Sequence, residues 1–320
     1  MDPEIRHLRA ICAIAEAGSV TRAAALLGIS QPALTGLLQR FERSLGGQLF
    51  ERGRTGVRPT ALGERALQRA RLVLAELDSF AGDLTLSAGT SLRSLRMGTA
   101  HMECVGTMVE RVQTALDPIE ISVQIDASAI SLAQALTHHR SDFAVIGMND
   151  DSDVPLAPDV AQRTVLPRLP FFIALSSSHP LAGRPEIDLA DLADEAWISP
   201  PGADDGSLAS LRAACRRAGY SPKVRYEAPS GGGRQLIQTG RAVQLVEPTS
   251  LGATGMAIRR LAGDPLRGRL VLAWRRSRIT DDQVETTYLA IARAYTDHAL
   301  RSPTYAPWWA AHPEVHPRTS

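Results

Sequence analysis

Two short helical segments separated by only Gly28-Ile29-Ser30 constrain this 320-residue chain more than any other feature. Upstream, Ile5, Leu8, Ile11, Cys12 and Ala15 recur at the spacing of an amphipathic helix, which Gly18 ends. Ser19 caps a second helix, Val20 to Leu27, closed by Gly28. Ser30 caps a third, with Pro32 in its first turn, where the missing N–H is harmless. That helix runs to about Leu45 and stops at Gly46-Gly47. So tight a break between helices is a helix-turn-helix signature. Gln48–Arg52 and Val57–Thr60 flank Gly53-Arg54-Thr55-Gly56 and read as a basic two-stranded wing.

Charge supports a role for this head. Net charge over the whole chain is +1, but residues 1–60 carry eight arginines against five acids. A basic end on a near-neutral chain suggests a nucleic-acid-binding module joined to an ordinary globular partner. A recognition helix enters the major groove by its N-terminal part. Ser30 and Gln31 lie there, and an amide such as that of Gln31 suits an adenine edge. Pro32, Ala33 and Thr35 are small enough for close approach, and a methyl of Ala33 or Thr35 suits thymine. Arg40 and Arg43 suit phosphates, and Arg52, Arg54 and Arg58 on the wing suit backbone or minor-groove contact. Three short helices with solvated arginines also describe a plain helical subdomain; the basic wing favours double-stranded DNA.

Ala15–Gly63 resembles the winged helix-turn-helix of LysR-type transcriptional regulators. The resemblance rests on Gly18-Ser19, Ala23-Ala24, Ser30-Gln31-Pro32-Ala33-Leu34, Leu45-Gly46, Leu49-Phe50-Glu51-Arg52 and Pro59-Thr60 near Gly63. Two departures stand out. The family usually has Ser-Arg where this chain has Thr35-Gly36, and Thr-x-Ala-Gly where it has Thr60-Ala61-Leu62-Gly63. The missing arginine removes a contact to DNA, which bears on operator choice or affinity.

Leu67, Ala70, Leu74, Leu77, Ala81 and Leu84 then alternate steps of three and four, a heptad-like seam. One reading is a face packed on a domain core. The other, favoured by its place after a DNA-binding head, is a dimerising linker helix over 61–88, as in the resembled family. Two heads on a homodimer or homotetramer bind half-sites spaced by helical turns.

Beyond Ala88-Gly89-Thr90-Ser91 the chain alternates strand-like and helix-like segments, beginning with a strand at Ser94–Gly98 and a helix to about Leu116. The expected architecture is therefore an all-α winged helix-turn-helix (1–60) with its linker helix, then a two-lobed α/β domain over 92–300. That domain resembles the family's effector-binding domain, similar to periplasmic solute-binding proteins. Lobe 1 is expected at 92–165 and 267–300, lobe 2 at 166–266, and 301–320 as an irregular tail bearing Trp308-Trp309. Ligands of open α/β sheets sit beyond the carboxyl ends of strands. Those ends carry Thr99, Ala100 and His101; Ser128; Ser199 and Pro200; Ser230 and Gly231; and Pro248, within Glu247-Pro248-Thr249. Thr99–His101, Ser128 and Gly231–Gly233 each read as a helix start, whose free N–H groups suit an anion. Thr and Ser there also serve as plain N-caps.

Other chemistry finds no motif. His101-Met102-Glu103 lacks the Pro-Cys-x-x-Cys of a zinc deaminase, and adjacent His138-His139 point apart on a helix. Gly231-Gly232-Gly233-Arg234 is no P-loop, and Cys104 reads as a small buried residue, with a redox-sensing thiol as the alternative. No metal or cofactor is expected. No apolar run reaches the roughly 18 residues that span a membrane, the acidic N-terminus lacks a signal-peptide pattern, and three scattered cysteines suit a reducing cytoplasm. The expected function is a sequence-specific transcriptional regulator modulated by a small anionic effector between two lobes, not an enzyme. The alternatives are a regulator without an effector, or an enzyme or solute-binding module with an appended helical domain.

Overall fold

The structure is a computed structural model that describes residues 4–53, 56–87, 94–150, 154–200, 206–228 and 232–320. The chain divides into two compact units, residues 1–90 with 138–140, and the rest.

The first unit contains α1 (Ile5–Ala17), α2 (Val20–Leu26), α3 (Gln31–Leu45), β1 (Phe50–Gly53), β2 (Gly56–Pro59) and α4 (Ala61–Ser87). The local signals set these bounds. Ser19 Oγ accepts from the Arg22 N–H and Ser30 Oγ from the Ala33 N–H, while Gly18 and Gly46 close α1 and α3 in left-handed conformation. Ile11, Ile14, Ala23, Leu34, Phe41 and Leu49 form the core. His7 is buried too, stacked on Phe41 with ring centroids 5.1 Å apart. Burial holds its pKa below the ordinary value.

The wing starts two residues later than expected. The Leu49 N–H donates to Glu42 Oε1 (2.8 Å), the Gln48 carbonyl accepts from Thr60 Oγ1 (2.7 Å) and the Leu49 carbonyl from the Thr60 N–H (2.9 Å), so two side chains and one backbone bond hold this segment ahead of the paired strand. Thr60 Oγ1 also accepts from the Gly63 N–H (3.0 Å) and so starts α4. A Cβ on Gly63 would lie 2.0 Å from the Leu49 carbonyl oxygen, so only glycine lets α4 pass there.

The linker seam splits. Leu67 and Ala70 are buried in the core of the head, with Leu74 packed beside them. This first part of the seam therefore has a partner within the chain, against the expectation of an all-dimeric face. Val73 is 51% exposed, and the side chains of Ala81 and Leu84 lie outside those described.

The second unit has two sheets. The first runs β4 (Glu120–Ile125), β3 (Ser94–Thr99), β5 (Phe143–Asn149), β13 (Arg267–Arg275), β6 (Val160–Pro170). The second runs β10 (Lys223–Glu227), β9 (Ala196–Ser199), β11 (Val243–Val246), β7 (Phe172–Ser176), β12 (Met256–Leu261), β8 (Glu186–Ile187). Helices α5 (Val105–Ala115), α6 (Ala129–Thr137) and α9 (Asp281–Arg301) accompany the first sheet, α7 (Ser207–Arg217) and α8 (Arg234–Gln238) the second. Strands β3, β4 and β5 run parallel, as do β9, β10 and β11, the arrangement an alternating β/α pattern produces.

Three expectations need correction. Lobe 1 does not end near Val165, because β6 pairs with β13 as far as Pro170↔Arg267; the chain crosses at Phe171 and returns before Arg267. Two strands, β8 and β12, were not foreseen. In β12 the consecutive Arg259 and Arg260 hide the alternation: Arg259 Nε donates to the Ala182 carbonyl (2.8 Å) and Arg260 pairs with Glu186 (2.8 Å). Finally, 301–320 is no irregular tail. It folds into α10 (Ala306–Ala311) and a 3-10 turn at Pro313–Val315, and Tyr305, Trp308, Trp309 and Val315 are buried in the main core. Trp308 Nε1 donates to Asp264 Oδ2 (2.8 Å), at the return crossing.

Asp142, just before β5, ties the first sheet together. It is 0% exposed and accepts from the Arg96 N–H (2.8 Å) and guanidinium on β3 and from Arg278 Nε (3.0 Å), with Arg275 of β13 at 3.6 Å. Burial pushes its carboxyl pKa up, but the Arg96 hydrogen bonds and the Arg96 and Arg278 charges outweigh this and hold it below the ordinary value.

Candidate functional site

The first unit presents the N-terminal turn of α3. Ser30, Gln31, Pro32, Ala33 and Arg40 are exposed and Thr35 half-buried, while Leu34 and Phe41 of the same helix point into the core. The helix is thus held by one face and offers the other. Gln31 Nε2 donates to Thr35 Oγ1 (3.0 Å), one turn on. That bond orients the amide and leaves its carbonyl oxygen and second N–H outward, a donor and an acceptor on one exposed group. Arg58 on β2 is exposed and already engaged with a partner. The side chain of Arg52 and the whole of Arg54 lie outside the described residues.

The second unit holds a cavity of about 300 Å³ between its two sheets. Most of its wall is apolar, from Met102, Met148, Phe171, Ile198, Leu211 and Met256 among others. Ala100, His101, Ser199 and Pro200 line it as expected of strand ends. The other expected residues do not. Thr99 is fully buried in β3, Ser128 and Pro248 stand behind the wall, and Ser230 and Gly231 lie outside the described residues.

One of the expected helix starts needs correction, while Ser128 and Gly233 do precede α6 and α8. Thr99–His101 start no helix, since α5 begins at Val105. Ahead of it, the Glu103 N–H donates to Glu247 Oε1 (3.1 Å). At α6, Asp126 accepts from the Ser128 N–H (2.9 Å) and the Ser131 hydroxyl (2.6 Å), and Ser128 Oγ is spent accepting from the Ser131 N–H (3.2 Å). Both segments already meet a carboxylate of the chain itself, which weakens them as anion sites.

Glu247, at the strand end expected there, lines the cavity, as do Tyr295, Gln244 and Arg234, which were not singled out from the sequence. Arg234 is exposed and has no ion pair among the described residues. Glu247 follows β11 in lobe 2, and its bond to Glu103 reaches lobe 1. Its other partners are the Thr249 N–H (2.8 Å) and hydroxyl (2.5 Å). Burial raises its pKa, and these hydrogen bonds offset part of the rise. The strand end was legible at Glu247-Pro248-Thr249; its direction was not, because that depends on pairing with β7 and β9. Cys104 is fully buried, and desolvation, then the Glu247 charge, raise its thiol pKa, the opposite of a reactive thiol. Among the described residues no helix is long and apolar enough to cross a membrane.

Comparison with known proteins agrees with this two-part anatomy. Residues 5–64 match the family model for bacterial regulatory helix-turn-helix proteins of the lysR family, and residues 88–294 that for the LysR substrate binding domain. The chain is 36% identical over 308 residues to a small neutral protease regulatory protein of Streptomyces coelicolor, covering 96% of this chain and 92% of the relative. A hydrogen peroxide-bound cysteine mutant of Corynebacterium glutamicum OxyR superposes with a TM-score of 0.54 at 25% identity, covering 96% of this chain and 98% of that one. CbnR in complex with its target DNA shares the fold, with a TM-score of 0.61 at 20% identity, covering 91% of this chain and 100% of that one. With both family domains in order and a relative aligned along nearly its whole length, the chain belongs to the LysR family of helix-turn-helix transcriptional regulators.

Proposed function

We propose that this regulator is switched by a small molecule held between the two lobes of its second unit. The observation that carries this is the 300 Å³ cavity, with an apolar wall and a few polar groups from both lobes, the usual form of a small-molecule site. Ser199 and Pro200 from lobe 2 and Ala100 and His101 from lobe 1 would touch the effector. Arg234, exposed and without an ion pair among the described residues, offers opposite charge to an anionic effector, in place of the Thr99–His101 and Ser128 segments, and Arg269 also lines the wall. A ligand that touches both lobes stabilises one lobe arrangement over another; equal affinity for both would shift nothing.

On the DNA side, Ser30, Gln31, Pro32, Ala33 and Thr35 would meet base edges, and Arg40, Arg52, Arg54 and Arg58 the backbone. We further propose a homodimer or homotetramer that brings two heads to one site, with exposed Val73 of α4 available for pairing. That α4 supplies the head's own core supports a rigid connection from the dimer face to α3.

The test is a titration of the full chain onto the DNA upstream of its own gene, alone and with a panel of small metabolites. Two or four chains per duplex are expected, and at least one compound that changes affinity and also raises the melting temperature. At 100 times its dissociation constant such a compound stabilises by about 2.7 kcal/mol. One chain per duplex would contradict the oligomer; a cavity variant Ile198→Trp that leaves the compound's effect intact would contradict the site.

A further inference from the structure

We propose that the effector carries a hydrogen-bond donor, a hydroxyl or an amine, on an apolar body, and that this donor is read by Glu247 together with Tyr295. The inference rests on the small-molecule reading of the cavity above and adds the chemical class of what enters it.

Four observations carry it. Glu247 is the carboxylate of the cavity that spans the lobes, fixed by the Glu103 N–H and by Thr249. Those are three donors: two meet Oε1 and one meets Oε2. A carboxylate has about four lone-pair sites, so Oε2 keeps an open acceptor position. Second, Tyr295 also lines the cavity and is 0% exposed, and its hydroxyl meets the hydroxyl of Tyr305. A phenol oxygen that meets one hydroxyl keeps lone-pair capacity for a ligand donor. Third, Glu247 and Tyr295 line the same cavity and both offer an acceptor oxygen, so a donor on the ligand suits either. Fourth, Met102, Met148, Phe171 and Met256 offer the remainder of the ligand only apolar contact, and methionines adapt to its shape.

Charge decides the class further. Glu103, exposed at the wall, adds a second carboxylate beside Glu247. An anionic group placed beside Glu247 would meet two like charges, and the cations of the wall, Arg234 and Arg269, suit it better.

The three methionines of the wall supply the reporter. The full chain with ¹³C-labelled methionine methyls is titrated separately with benzyl alcohol, benzylamine, benzyl methyl ether and benzoate. These probes share one apolar body and differ in the donor. The expected result is that the alcohol and the amine shift the methyls of Met102, Met148 and Met256 at concentrations at least tenfold below the ether and the benzoate. Tyr295→Phe, which removes one oxygen and keeps the ring, should cut the alcohol's advantage severalfold. Glu247→Gln should abolish that of the amine. Equal shifts by alcohol and ether, in the wild type, would overturn the donor inference and leave the cavity reading standing. Saturation of the cavity methyls by none of the four would overturn both.

Discussion

Asp142→Asn should lower the stability of the second unit by about 3–5 kcal/mol, the loss seen when one partner of a buried ion pair is removed. The change is nearly isosteric, so packing is kept. What is lost is the negative charge between the Arg96 guanidinium, Arg278 and Arg275, the last two 8% and 1% exposed. The variant would leave those cations facing an amide. A pH effect follows. The Asp142 carboxyl is held below its free-chain value of about 3.9, so its stabilisation is complete above that value and is lost as pH falls through the folded pKa. Denaturant titrations of wild type and variant at neutral pH and near pH 3 check both points. The gap between them should narrow in acid; a gap under about 1 kcal/mol at neutral pH would show that Asp142 does not organise the sheet.

Trp309→Ala, measured alone, should cost about 3–5 kcal/mol, because it empties a core position of an aromatic side chain. Trp309 is 1% exposed, packs on Tyr305 and Tyr295 with ring centroids 5.6 and 5.9 Å away, and stacks on His316 at 4.3 Å. The C-terminal segment lies beyond the 88–294 match to the substrate binding domain, yet it closes the main core of the unit. It also supports the cavity, since Tyr295 touches Trp309 on one side and lines the cavity on the other. The denaturation midpoint should fall with an unchanged m-value, and Trp309→Phe should recover most of the loss. A midpoint unchanged by the alanine would mean that the segment only rests on the surface.

How much of this was readable from the residues depends on how local the causes are. The helix α3 was legible almost to the residue, because Ser30, Pro32 and Gly46 act within one turn of its ends. The β/α alternation placed most strands within a few residues for the same reason. Strands β8 and β12 were not legible, since their partners lie far off in sequence and paired arginines break the apolar rhythm. The seam of α4 was visible, but its spacing serves a core and a dimer equally, and only the contacts of Leu67 and Ala70 with the head separate the two. At the cavity, the strand ends gave Ala100, His101, Ser199 and Pro200. Glu247 was legible only as part of a strand end and Tyr295 not at all, because their role arises where two lobes and a C-terminal helix meet, which no short window of sequence contains. The C-terminal segment reads as irregular because Pro303, Pro307, Pro313 and Pro317 break any long periodicity, whereas its order comes from tertiary burial of Trp308 and Trp309.

The central claim, that the exposed turn of α3 reads bases in DNA, is tested most directly by one competition experiment. Fluorescence anisotropy is measured for wild type and Gln31→Ala on the DNA upstream of the chain's own gene and on a scrambled duplex of equal length and composition, at one fixed salt concentration. The wild type should prefer its own site by roughly 10³-fold or more. Gln31→Ala should lose about 1–3 kcal/mol on that site and almost nothing on the scrambled duplex, because an amide that reads a base edge adds little to non-specific binding. An equal loss on both duplexes, or none on either, would contradict the account.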